Sequence, residues 1–89
     1  MDVDYTVQIW REGGQFIAHA MPLDVASSGG TPQAARTALE EAVKLFIKSA
    51  EDHGTLTEVL EDAGYESDGV IWRCPDWISI EKHSAPAAA

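Results

Sequence analysis

Two adjacent glycines constrain the fold of this chain more than any other feature. Gly13-Gly14 separates two runs, residues 5–12 and 15–21. In the first run, apolar Tyr5, Val7 and Ile9 alternate with Thr6 and Gln8, which is the period of a strand. A two-residue hairpin turn needs positive φ, which glycine adopts without steric cost. The pair therefore predicts a hairpin and its register: Ile9 faces Ala18 and Val7 faces Ala20. Because strand side chains alternate, this register sorts them into two faces. One face holds Tyr5, Val7, Ile9, Phe16, Ala18 and Ala20, whose alanines let a helix sit close. The other holds Thr6, Gln8, Trp10, Ile17, His19 and Met21. Trp10, Ile17 and Met21 on a solvent-facing sheet make an apolar patch, and such patches mark contact sites.

Pro22 ends the second strand, and residues 23–28 read as a short third strand near an edge. Gly29-Gly30 breaks it. Thr31-Pro32 then opens a helix, with Thr as N-cap and Pro at the first helical position. The helix is expected to run to about His53, with Gly54 as its stop. Ala35, Ala38, Leu39, Ala42, Phe46 and Ala50 form its buried stripe, widened by Val43, Leu45 and Ile47. Thr55 and Glu58 have the spacing of a capping box for a second, short helix closed by Gly64. Glu66–Gly69 reads as a polar loop, and residues 70–72 and 77–80 as two short strands. Residues 83–89 have nothing to bury and are expected to form a disordered tail. The predicted class is α+β: a three-stranded antiparallel sheet packed by one long helix, then a short helix and short C-terminal strands. The order is β-β-β-α-α-β-β, in a single domain over residues 1–82.

A chain of 89 residues buries only about 60% of its unfolded surface, so association with another chain is expected on size alone. Fifteen acidic residues against six basic ones give a net charge of −9. Arg11, Arg36, Lys44, Lys48, Arg73 and Lys82 are scattered, whereas a phosphate-binding surface needs them clustered. Direct binding to nucleic acid is therefore not expected. An acidic surface instead speeds docking of a basic partner, although acidity also serves plain solubility. No apolar run is long enough to span a membrane. The opening Met1-Asp2-Val3-Asp4 has neither a basic segment nor an apolar core, so a secretory leader is not expected. Cys74 stands alone, which excludes an internal disulfide and favours a cytoplasmic location.

Signals for catalysis are sparse. Ser28-Gly-Gly-Thr31 precedes a helix but lacks the lysine and spacing of a phosphate-binding loop, so Thr31 reads as a cap. His19, His53 and His83 fall on a strand, a helix end and a tail, with no partner at metal-ligand spacing. His53 suits the negative end of its helix. Asp2, Asp4 and Asp24, with Glu40 or Glu41, could be imagined as a metal-binding carboxylate cluster, but nothing in their spacing makes them converge. Cys74 has no adjacent base and reads as a buried, inert thiol. Trp72 and Trp77 serve as core fillers or interface anchors. No cofactor and no metal are expected.

From Tyr5 to about Gly54 the chain resembles the HicB antitoxin family, whose fold is a partial ribonuclease-H-like domain. The resemblance rests on Tyr5-Thr-Val-Gln-Ile9, Gly13-Gly14 and Phe16-Ile-Ala-His-Ala-Met-Pro22-Leu23. It continues through Ser28-Gly-Gly30-Thr31-Pro32-Gln-Ala-Ala35 and Ala38-Leu-Glu-Glu-Ala-Val-Lys-Leu-Phe46. It covers a little over half of the chain, and its motifs are structural. The resemblance implies a domain that neutralises a basic HicA-like toxin, an mRNA-cleaving protein, by direct contact. It also implies a homodimer or tetramer.

Two departures stand out. Leu23-Asp24-Val25 replaces the family's usual Pro-Gly doublet. No basic recognition helix can be drawn after Gly64, so the DNA-binding module of many relatives is not carried over. The expected contact residues are Trp10, Ile17, His19, Met21 and Asp24. The alternatives are an orphan homo-oligomer of the same fold and a metal-dependent nuclease retaining ribonuclease-H-like carboxylates.

Overall fold

A computed structural model of the chain describes residues 1–88. Eight elements follow one another: β1 (Asp2–Val3), β2 (Thr6–Glu12), β3 (Gln15–Met21), β4 (Val25–Gly29), α1 (Pro32–Asp52), α2 (Leu56–Asp62), β5 (Glu66–Ser67) and β6 (Ile71–Arg73). The architecture is the predicted α+β arrangement of helix on sheet. β2, β3 and β4 form an antiparallel sheet in that order, with β2 and β4 at its edges. The Gly-Gly turn sets the predicted register, pairing Ile9 with Ala18 and Val7 with Ala20. Gly13 takes φ 61°, the left-handed conformation that the turn demands.

α1 begins as the sequence predicts. The Thr31 hydroxyl accepts from the Ala34 amide at 3.0 Å, and Pro32 occupies the first turn. The helix ends at Asp52, and Gly54 turns the chain at φ 70°. α1 lies over β4 and β3 and touches β2 least. Ala18 and Ala20 present no bulk, so the buried helix residues Ala35, Leu39 and Val43 reach the sheet directly. Gly29 permits the closest approach: a Cβ there would stand 2.6 Å from the Ala35 nitrogen. Leu60 from α2 and Tyr65 close the other end of this core.

Several details differ from the sequence-based expectation. The third strand starts at Val25, because Leu23 is buried in the preceding turn and Asp24 takes φ 62°. Leu45 lies on the solvent side of α1 and does not widen its buried stripe. Thr55 makes no side-chain cap for α2; its hydroxyl donates instead to the Ala50 carbonyl at 3.4 Å. The polar loop contributes β5, which pairs antiparallel with β6, and β6 pairs in parallel with β1. β1 and β5, of two residues each, carry too few side chains to show a period, whereas β6 is the predicted strand 70–72 displaced by one residue. Residues 77–80 form no strand: they alternate as one, but Pro75 ends β6 and no neighbour pairs with them. Residues 83–88 carry no regular structure, and Ala89, the last residue of the predicted tail, lies outside the described residues.

Candidate functional site

α1 occupies the alanine face of the sheet, which leaves the opposite face without a helix over it. The strand register brings Trp10 beside Ile17, Gln8 beside His19, and Thr6 beside Met21 on that face. Ile17, His19 and Met21 lie on the central strand and are half-buried by their neighbours. Trp10, on the edge strand, leaves 40% of its surface in solvent. Its ring centroid lies 6.1 Å from that of His19, tilted by 59°. The hairpin register alone thus predicts the adjacency of four of the five expected contact residues.

Asp24 joins them through the turn between β3 and β4. Its amide donates to the Ala20 carbonyl at 2.9 Å, and its left-handed backbone aims the side chain back over the sheet. There the His19 Nε2–H donates to Asp24 Oδ1 at 2.7 Å. The Asp24 side chain remains 89% exposed, so its charge stays available to a partner. The residue opposite His19 on β4 is Ala26, and Ser28 lies opposite Ile17 on the same face. The pair sets an imidazole and an exposed carboxylate beside the Trp10 indole within one small area.

The other sequence candidates fall elsewhere. The His53 Nδ1–H donates to the Ser49 carbonyl at 2.7 Å, closing the last turn of α1. His83 bonds Glu81 at 2.8 Å on an exposed segment. Cys74 is half-buried rather than buried, with its sulfur 3.8 Å from the Thr6 hydroxyl. Asp2, Asp4 and Glu40 share a groove of about 510 Å³ between the N-terminal strand and α1, while Asp24 stands apart. Among the described residues, no three His, Cys, Asp or Glu side chains come together to hold a metal ion.

A second depression, of about 480 Å³, lies among Asp4, Glu66, Asp68, Asp76 and Arg73. Asp68 holds the loop beneath it. Its carboxylate accepts from the Ile71 and Val70 amides at 2.9 Å each and pairs with Arg73 at 3.0 Å. Those amides, with Arg73, keep the Asp68 carboxyl below the usual aspartate value.

Two features escape the reading from sequence. The strand period places Val7 on the covered face, yet it is 39% exposed, because β2 is an edge strand and α1 sits over the other two. Ile78 and Ile80 alternate as in a strand and are instead 94% and 63% exposed. Their alternation is legible in the sequence, but the lack of a partner strand is not. Among the described residues, no helix is long and apolar enough to cross a membrane. No family model matches this chain, and neither the curated proteins nor the solved structures contain a match to it.

Proposed function

We propose that this protein acts by binding rather than catalysis, as a HicB-like antitoxin that holds a basic protein on the helix-free face of its sheet. The partner class is a small HicA-like toxin that cleaves mRNA, met in the cytoplasm without direct contact between this chain and nucleic acid. One observation carries the reading: Trp10, Ile17, His19, Met21 and Asp24 share one face with no helix over it. A large exposed aromatic ring beside apolar side chains is the usual make-up of an interface hot spot. The exposed carboxylate of Asp24, on a chain of net charge −9, favours a cationic partner and speeds its docking.

The experiment is capture of the partner by the wild-type protein and by Trp10→Ala and Asp24→Asn variants. Trp10→Ala weakens capture at least tenfold, since loss of a hot-spot aromatic costs about 2 kcal/mol or more. Asp24→Asn mainly slows association, and the deficit shrinks as salt is added. Undiminished binding by both variants would place the contact on another surface. The orphan homo-oligomer reading is favoured by a different observation, the exposed C-terminal segment.

A further inference from the structure

We propose that Asp76–Ile80 is a strand exchanged between two copies of this chain, each adding it antiparallel to the free edge of β2 in the other. This inference rests on the arm and the edge, and is independent of the antitoxin reading.

The arm is built as a strand and has no partner. Trp77 and Ser79 alternate with Ile78 and Ile80, and both isoleucines stand in solvent. Among the described residues, no main-chain hydrogen bond ties residues 75–88 to the rest of the chain. The radius of gyration is 15.3 Å, against about 12 Å for a compact chain of this length. The molecule extends 47 Å along its long axis. An exposed, unpaired, apolar strand is a template for another chain.

The edge is also open. In a two-residue hairpin the pair flanking the turn, Glu12 and Gln15, exchanges both hydrogen bonds, and the pairs then alternate. Val7, Ile9 and Arg11 consequently direct their amides and carbonyls away from β3, toward the unpaired edge.

Side-chain chemistry selects the orientation. Running antiparallel with Asp76 opposite Arg11, the arm sets Trp77 beside Trp10, Ile78 beside Ile9, Ser79 beside Gln8 and Ile80 beside Val7. Opposite charges meet at one end. The isoleucines cover the exposed Val7 on the helix side, and the two tryptophans extend the outer face together. A parallel strand continuing the β1–β6 register, in which Val3 pairs with Trp72, would set Asp76 against Val7 and Ile80 against Arg11. That arrangement opposes a carboxylate to a valine and an isoleucine to a guanidinium. Pro75 also lacks the amide needed to continue that ladder.

Chain length identifies the donor as a second copy. The arm leaves the domain at Cys74, which touches Thr6 at the start of β2. Arg11 lies five strand residues further on, about 17 Å away. Cys74 to Asp76 spans at most about 7 Å. A chain therefore cannot lay its own arm antiparallel on its own β2, whereas a two-fold-related copy can, and the exchange closes as a dimer.

Sedimentation of the 89-residue chain at tens of micromolar tests this, beside the double variant Ile78→Asp/Ile80→Asp. Both side chains are exposed in the isolated chain, so the variant keeps the monomer fold and its helical circular dichroism, with a melting temperature that no longer rises with protein concentration. The wild type is expected at twice the 9.6 kDa chain mass and the variant at that mass. Amide exchange at Val7, Ile9 and Arg11 is expected to be at least tenfold slower in the wild type. A monomeric wild type, a dimer that survives the double substitution, or a dimer with those three amides unprotected would each overturn the proposal.

Discussion

The Tyr65 hydroxyl donates to the main-chain carbonyl of Asp4 at 2.5 Å, tying the end of α2 to the start of the chain across 61 positions. The Asp4 amide in turn donates to the Trp72 carbonyl at 2.9 Å. Tyr65 is thus the buried peg that holds the small β1–β6–β5 sheet against the main core.

Burial, with the nearby Cys74 and Asp4, pushes the Tyr65 hydroxyl well above the ordinary tyrosine value. The neutral form is favoured in the folded state. Its contribution to stability is therefore complete below the unfolded value of about 10 and is lost as pH rises from there through the folded value. Tyr65→Phe removes the bond and should cost about 1–2 kcal/mol at neutral pH. Urea unfolding from pH 7 to pH 11 checks both effects. The wild type loses stability above pH 10 faster than the Phe variant, and parallel profiles would contradict this role.

Gly29 is required for space. An alanine there would set its Cβ within 2.8 Å of Ala34 Cβ and closer still to the helix backbone. Gly29→Ala should destabilise by about 1–3 kcal/mol, because β4 and α1 must separate. A Cβ on the neighbouring Gly30 would meet no atom within 4 Å, so Gly30→Ala should stay within about 0.5 kcal/mol of wild type. Denaturant midpoints of the two variants measure the difference directly.

Asp24 combines a left-handed backbone with a bond to His19. Alanine would keep the left-handed conformation without polar support, whereas glycine adopts it freely. Asp24→Gly should therefore be more stable than Asp24→Ala by about 1 kcal/mol. Equal thermal stability of the two variants would show that the turn relaxes when the His19 bond is lost.

Legibility from sequence followed how local each determinant was. Gly13-Gly14 specified a turn, and the turn specified every pair of the hairpin, including the adjacency of Trp10 and Ile17. Thr31-Pro32 specified the start of α1 through one hydrogen bond three residues away. The position of Asp24 over His19 depends on a backbone conformation that Leu23-Asp24-Val25 does not announce. β1 and β5 are assembled by long-range contacts such as Tyr65 to Asp4, so their sequences carry almost no strand signal, whereas β6 is legible to within one residue of the predicted strand 70–72. The exposure of Val7 follows from where α1 lies across the sheet, which no periodicity encodes. Trp77–Ile80 reads as a strand in isolation, and only the tertiary structure shows it unpaired.

Toxin binding is read out by affinity capture of the tagged protein from a lysate of its own source, with the bound proteins identified by mass spectrometry. One small basic protein is expected in stoichiometric yield, lost when Trp10 is replaced by Ala. An eluate containing only further copies of this chain would contradict the antitoxin reading and leave a homo-oligomer in its place.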